Sequence, residues 1–151
     1  MYLLPDKNYE SGDYIYLWNK PYKLILEDSA KWSMSIDSVS QAAHLKQPAN
    51  SEAGKRYEFL KSWYKAELLK EAKPIFDYYK NLTGLAPDIV AVRFAKSVWG
   101  TCNKTKKRIM LNGQMATMDK SKLQATVLHE LAHLKYPNHG PQFKKFIQTY
   151  G

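Results

Sequence analysis

The pattern of apolar and polar residues predicts three β-strands in the first part of the chain. Residues 32–39 alternate with a period of two, which is typical of a strand with one buried face. Residues 14–18 and 22–26 alternate only in part, and residues 19–21 form a break between them. We interpret the three segments as a small antiparallel meander, followed by a linker at residues 47–51.

The next stretch has the periodicity of a long amphipathic helix. Between residues 51 and 82, apolar residues recur every three or four positions and form one stripe, which indicates a helix packed on a core. Pro74 interrupts the stripe, so we expect a kink or a short break near Lys73. Thr83 and Gly84 supply the helix end. We interpret the aromatic residues of the stripe as core packing and not as a base-stacking platform.

Two short apolar runs after this helix predict a second set of strands. Residues 89–94 and 108–111 are rich in β-branched and apolar side chains. A basic segment, residues 103–107, separates them, and we interpret the unit as a hairpin with a basic tip.

The last part of the chain predicts two helices. Apolar positions between residues 123 and 134 follow a helical period, and Asp119 or Ser121 can cap this helix. Pro141 suits the first turn of a final helix that ends at Tyr150.

The composition is that of one globular domain. A chain of 151 residues can bury a substantial core, and 44% of its residues are hydrophobic. No stretch approaches the about 18 uncharged apolar residues of a membrane span, and residues 1–7 do not begin a signal peptide. Cys102 is the only cysteine, which excludes an internal disulfide framework. We therefore expect a cytoplasmic protein with no membrane association.

The net charge of +9 favours anionic partners such as nucleic acid, ribosomes, acidic peptides or nucleotides. A lysine-rich surface that serves only solubility explains the same charge. No motif specific for nucleic acid is visible, so the charge leaves the partner open.

Three of the four histidines lie in one short segment that begins with H-E-x-x-H. On a helix, His129 and His133 share a face, so both imidazoles can point at one centre. Glu130 is rotated by about 100° from His129 and suits a group beside a metal-bound water better than a ligand. Pro137 ends the helix and lets the chain bring His139 back. The spacing predicts a hydrolytic zinc site with one position open for water.

Less specific interpretations of the same residues remain open. An amphipathic helix can carry two core histidines and a solvated glutamate without any metal, and a metal can be bound without catalysis. Cys102 is a candidate fourth ligand, but three histidines already leave the open position that hydrolysis requires. We interpret Cys102 as a small buried thiol.

Over nearly its full length the chain resembles the YgjP-like group of predicted metal-dependent hydrolases, which is close to the WLM and SprT-like zinc peptidases. Four segments in the same order carry the resemblance: Trp99-Gly100-Thr101-Cys102, Ile109-Met110-Leu111-Asn112, His129-Glu130-Leu131-Ala132-His133-Leu134 and Asn138-His139-Gly140-Pro141-Gln142-Phe143. Thr101 stands where the family usually has Ser, and Lys144 where it often has Trp. Neither departure affects a candidate ligand.

The resemblance implies a single zincin-like α+β domain over residues 1–151. Residues 1–45 would form the β-meander and residues 51–151 the core, in which the long helix and the metal-site helix pack on a small sheet. In related peptidases a sheet edge pairs with an extended substrate. Here the hairpin of residues 89–112 would supply that edge.

The resemblance also implies the roles of the site residues. One zinc ion per chain would be bound by His129, His133 and His139, with Glu130 as the general base. Zinc lowers the pKa of a bound water to about 7 and polarises a carbonyl or phosphoryl oxygen. Glu130 would accept the proton of the water and pass it to the leaving group.

Three further residues are candidates for substrate binding. Arg93 and Tyr136 are candidate oxyanion stabilisers, although a solvated strand arginine and a helix-end packing residue are the simpler interpretations. Trp99 can contact the substrate or simply pack the hairpin against the cleft.

Three functions are compatible with these features. The first is a zinc-dependent metallopeptidase that acts on a peptide or protein substrate, and this is the function we expect. The second is a hydrolase of nucleotide phosphoanhydrides, although no glycine-rich phosphate loop supports it. The third is a non-catalytic zinc-containing module that binds nucleic acid or ribosomes.

Overall fold

The computed structural model of the protein describes residues 2–151, and the α+β class predicted from the sequence is confirmed within them. Two β-sheets and three α-helices make up this part of the chain. In chain order the elements are β1 (Tyr14–Leu17), β2 (Lys20–Asp28), β3 (Ser33–Asp37), β4 (Ala42–Gln47), α1 (Ala53–Thr83), β5 (Ile89–Arg93), β6 (Gly100–Asn103), β7 (Arg108–Asn112), a short 3₁₀ helix (Gly113–Thr117), α2 (Lys120–His133) and α3 (Pro141–Tyr150).

The first sheet has the strand order β1-β2-β4-β3, which differs from the predicted meander. β1 and β2 pair antiparallel as expected, but β4 lies between β2 and β3 and runs parallel to β2. β4 was not predicted from the sequence because it begins with Ala42 and Ala43, which have little strand propensity. Ala43 and Leu45 on this strand are fully buried, so burial outweighs their propensity.

Helix α1 packs its apolar stripe on the core, and Leu60, Tyr64 and Leu68 are almost fully buried. The sequence predicted a kink or a short break near Lys73, and the helix passes through Pro74 without a break. Pro74 lies on the exposed side of the helix. The carbonyl group that loses its helical hydrogen bond there can therefore be solvated.

The second sheet has the order β5-β7-β6, and this corrects the predicted hairpin. β5 and β7 are neighbours as expected, but they run parallel. The antiparallel hairpin is formed by β6 and β7. β6 has only four residues and no apolar alternation, so no local pattern predicted it. It is an edge strand, and it lies against α2.

Helix α2 joins the second sheet to the rest of the core. The Asp119 side chain accepts a hydrogen bond from the Ser121 N–H at 2.9 Å and caps the helix. Leu123, Val127 and Leu131 are fully buried on its core side. No helix of residues 2–151 is both long and apolar enough to cross a membrane.

Candidate metal centre

The carboxyl-terminal end of α2 and the loop after it carry the three candidate ligands. The helix ends at His133, where the chain tightens into a turn and the Tyr136 N–H donates to the Ala132 carbonyl at 2.7 Å. This turn reverses the chain before α3. The reversal brings His139 back to the end of α2.

The Nε2 atoms of the three histidines converge on one point. The Nε2 atom of His133 lies 3.2 Å from that of His129 and 2.9 Å from that of His139. Nitrogen ligands at roughly 2.0–2.1 Å from a tetrahedral zinc ion are separated by about 3.3 Å. The donor set therefore fits a zinc-type ion. Among the residues that the structure describes, no other acidic, cysteine or histidine side chain joins this group.

The ring of His133 is oriented by the turn after the helix. Its Nδ1 lies 3.1 Å from the Tyr136 carbonyl oxygen, which can only accept a hydrogen bond. Nδ1 must therefore carry the proton, and Nε2 presents its lone pair to the other two histidines. Burial, followed by the charges of His133 and His139, lowers the pKa of His129. This favours the neutral form that binds a metal.

Phe143 of α3 packs against all three imidazoles. Its ring centroid lies 5.0 Å from that of His129 and 4.8 Å from those of His133 and His139. Phe143 is itself 5% exposed, so its position is fixed by the core. The last helix thus supports the ligands from one side.

Glu130 is buried beside the histidines with an unsatisfied oxygen. The residue is 4% exposed, and its Oε2 atom has no hydrogen-bond partner within residues 2–151. Burial raises the pKa of Glu130 to about 7. A buried carboxylate oxygen without a partner is costly unless a ligand or water completes it. Glu130 therefore has the environment of a proton-transfer group.

Strand β6 lies very close to this part of α2. A Cβ atom added to Gly100 would lie 2.9 Å from Cγ2 of Thr126 and 3.0 Å from Cγ of Glu130. Only glycine allows the strand to approach the helix so closely. The edge of the second sheet therefore passes directly beside the candidate base.

A cleft of about 330 Å³ opens between this edge and α2, and its lining residues are Trp99, Gly100, Lys122, Ala125, Thr126, His129 and Glu130. The Lys122 amine lies 4.9 Å from the centre of the Trp99 ring. Trp99 also has an edge contact with Tyr2, at 6.0 Å between ring centroids. Lys122 and Trp99 thus line the same cleft as the candidate ligand His129 and the candidate base Glu130.

Asn112 holds the loop that carries Trp99, a role that sequence reasoning did not identify. Its side-chain amide donates to the carbonyl groups of Ala95 and Val98 at 2.8 and 3.0 Å. Its backbone N–H donates to the Trp99 carbonyl at 2.9 Å. Asn112 is 2% exposed, and a polar residue at the end of an apolar strand was the available signal.

The three candidate substrate-binding residues lie in different places. Trp99 lines the cleft beside the histidines. Arg93 is exposed at the end of β5 and does not line it. The Tyr136 ring lines a separate cleft, where it packs against Phe146 at 6.0 Å between ring centroids.

Cys102 is partly buried, and its pKa is raised by burial and then by the charge of Glu130.

The chain is similar to known metallopeptidases. A family model described as YgjP-like, metallopeptidase domain, matches residues 3–151. The chain is also similar to the crystal structure of the metallopeptidase zymogen of Pyrococcus abyssi abylysin, with 20% sequence identity, coverage of 52% of this chain and 78% of that chain, and a TM-score of 0.47. No curated protein matches the chain.

Proposed function

The chain belongs to the YgjP-like family of metallopeptidases, and on this basis we propose that it is a zinc-dependent peptidase with Glu130 as its general base. The family membership confirms the resemblance found in the sequence and supports metal-dependent hydrolysis of peptide bonds. The identity of the metal, its ligands and the base are our proposal. The observation that carries it is the convergence of three imidazole nitrogens beside a buried, unsatisfied carboxylate.

His129, His133 and His139 would hold one zinc ion per chain. When bound, the ion would supply Lewis acidity toward a water and a peptide carbonyl. The residues fit this role because His133 is held in the correct tautomer by the Tyr136 carbonyl. Three protein ligands would leave a coordination position open, as catalytic zinc sites require.

Glu130 would accept a proton from the attacking water and deliver it to the leaving amine. A general base is most effective when its pKa lies near the working pH, and burial brings the pKa of Glu130 to about 7. Its unsatisfied Oε2 is an acceptor for the proton of a water in the cleft. The amide introduced by Glu130→Gln would have the same shape as the carboxylate but could not take the proton.

The edge strand β6 would bind the substrate. Its outer side has no strand partner within the described chain, and it lies beside Glu130 through the close approach of Gly100. An extended peptide added to this edge would place its backbone next to α2. We expect peptide or protein substrates for this reason.

The two other functions have less support. A nucleotide hydrolase would need several basic groups that converge on the metal, and among the described residues Lys122 is the only basic one in the lining of the cleft other than His129. A purely structural metal site would be closed by a fourth protein ligand, and none is present in the part of the chain that the structure describes.

The test combines metal analysis with two assays. The wild-type protein should contain one zinc per chain and cleave an unfolded polypeptide pool, and a chelator should abolish the cleavage. Glu130→Gln should keep the zinc and lose the cleavage, while His133→Ala should lose both. Cleavage by the Glu130→Gln protein at the wild-type rate would remove Glu130 from the mechanism. Hydrolysis of nucleoside triphosphates without peptide cleavage would instead select the nucleotide hydrolase.

A further inference from the structure

We infer that the end of the cleft formed by Lys122 and Trp99 selects peptide substrates with an acidic residue about three positions from the bond that is cleaved. This inference rests on the proposed peptidase function and specifies its substrate class. Three observations support the inference: the positive charge of Lys122 has no acidic partner, Trp99 holds the Lys122 amine in place, and Lys122 lies a known number of turns along α2 from His129.

Lys122 has no acidic partner of its own. Within residues 2–151, no carboxylate oxygen lies within 4.0 Å of its amine. Asp119 is the nearest acidic residue in the sequence, but its carboxylate is used to cap α2 through the Ser121 N–H. The Lys122 ammonium is therefore available to a negatively charged group in the cleft.

Trp99 positions this ammonium at the mouth of the cleft. The amine lies 4.9 Å from the centre of the indole ring, which is the geometry of a cation–π contact. Trp99 is in turn held by the hydrogen bond that its carbonyl accepts from the Asn112 N–H and by its edge contact with Tyr2. Because the lysine side chain is already ordered, less conformational entropy is lost when an anion binds to it.

The two lysines of the first turn of α2 differ in their surroundings. This turn contains no acidic residue, and the Asp119 carboxylate before it accepts a hydrogen bond from the Ser121 N–H. The neighbouring Lys120 points elsewhere, since its amine lies 3.5 Å from a Glu71 carboxylate oxygen and 5.6 Å from the centre of the Trp18 ring. Of the two lysines in this turn, Lys122 is therefore the one that lines the cleft.

The position of the acidic residue follows from the geometry of the helix. Lys122 precedes His129 by two turns of α2, which is about 10 Å at 1.5 Å per residue. An extended peptide covers about 3.3 Å per residue, so this separation along the helix backbone corresponds to about three substrate residues. Glu130 is the only acidic residue among the described residues that line the cleft. It would repel a carboxylate next to the cleaved bond, so the preference should appear away from that bond.

The experiment measures acid preference position by position. A neutral peptide series is prepared in which each of about four positions on either side of the cleaved bond carries Glu or, in the matched peptide, Gln. The ratio of kcat/KM for the Glu and Gln peptides is measured for the zinc-loaded wild type, Lys122→Gln, Lys122→Arg and the control Lys120→Gln. Binding of the same labelled peptides to zinc-loaded Glu130→Gln, with and without Lys122→Gln, is followed by fluorescence anisotropy.

We expect the wild type to prefer Glu by about threefold to tenfold at one position, as a partly exposed ion pair allows. Lys122→Gln should bring the ratio to about one, Lys122→Arg should restore it, and Lys120→Gln should leave it at the wild-type value. Binding should show the same dependence on Lys122. A ratio of about one at every position in the wild type, or an equal loss in Lys120→Gln, would overturn the inference.

The binding measurement separates this inference from the proposed function. If no peptide is cleaved but the Glu peptides still bind more tightly through Lys122, the peptidase function fails and the acidic selectivity of the cleft stands. If peptides are cleaved without any acid preference, the peptidase function stands and the selectivity is wrong.

Discussion

A Cβ atom at Gly100 would lie 3.0 Å from Cγ of Glu130, so the edge strand and the candidate base are in direct contact. The same atom would lie 2.9 Å from Cγ2 of Thr126. Both neighbours belong to α2, which cannot move without disturbing the core. The position of Glu130 therefore depends on a glycine that is far from it in the sequence.

We expect Gly100→Ala to displace Glu130 and to lower kcat by about tenfold to a hundredfold, because small displacements of a catalytic group are costly. Zinc content should stay at one per chain, since the atoms nearest to the added Cβ belong to Thr126, Glu130 and Met110 and not to a histidine. The control is Gly54→Ala in α1, where an added Cβ meets nothing within 4 Å. Gly54→Ala should keep full activity and raise the stability of the protein slightly, because Ala loses less backbone entropy than Gly in a helix. Equal activity of the two variants would contradict the proposed contact.

Burial of Glu130 predicts a pH-dependent stability of the metal-free protein. Its pKa rises from an ordinary value of 4.5 to about 7 on folding. The folded state therefore holds the proton more tightly than the unfolded chain. The free energy of unfolding decreases as the pH rises from 4.5 to about 7, because the unfolded chain loses the proton first. Glu130→Gln lacks this loss because its side chain is neutral at both pH values.

The measurement is urea unfolding of chelator-treated wild type and Glu130→Gln at about pH 5 and about pH 8. The free energy of unfolding of Glu130→Gln minus that of the wild type should be larger at the higher pH, by on the order of 1–3 kcal/mol. The two proteins differ only at residue 130, so the comparison isolates the contribution of the Glu130 carboxyl group. The same difference at both pH values would show that the Glu130 carboxylate is not held in a desolvated state.

Phe143 should support metal binding because its ring contacts all three imidazoles. We expect Phe143→Leu to weaken zinc binding by about tenfold, as changes behind metal ligands commonly do, and to cost about 1 kcal/mol of stability. The control is Phe76→Leu, a buried phenylalanine of α1 that lines a different cleft. It should lose similar stability and keep its zinc affinity. Competition with a chromophoric chelator measures both affinities, and equal values would disprove the supporting role.

The candidate substrate-binding residues should differ in their effects. Trp99 lines the cleft, so Trp99→Leu should raise KM by about threefold to tenfold with little change in kcat. The Tyr136 ring lies in a separate cleft, and Tyr136→Phe should change kcat/KM by less than about twofold. Arg93→Ala should behave like Tyr136→Phe. A large loss of kcat in Tyr136→Phe would instead support the oxyanion role that the sequence left open.

The helices were the most predictable part of the fold. The periodic stripe of α1 and Pro141 in the first turn of α3 were identified from local pattern, and so was a cap of α2 at Asp119 or Ser121, of which the structure uses Asp119. Such signals are local because the hydrogen bonds of a helix, and the spacing of the side chains on one of its faces, involve residues only three or four positions apart. Pro74 was expected to cause a kink or a short break, and the helix continues through it without a break.

Strand pairing could not be predicted in the same way. The order of both sheets, the parallel pairing of β5 with β7 and the existence of β4 and β6 depend on contacts between segments far apart in the chain. Short strands such as Gly100–Asn103 carry too few residues for a reliable alternation. Their pairing therefore depends on how the other strands and helices pack in the core.

Two candidate ligands and the candidate base could be identified from the amino-acid order, because H-E-x-x-H sets the directions of His129, Glu130 and His133 on one helix. His139 lies after the helix, and the turn that follows α2 brings it to the other two histidines. The cleft around them could not be identified in this way. Gly100 against Glu130, Lys122 over Trp99 and Phe143 behind the imidazoles each join elements that are separated in the chain. These contacts depend on the distances at which whole elements pack, which no local pattern encodes. Only the packing of the folded chain therefore establishes which surface lies beside the histidines and which charge it presents to a substrate.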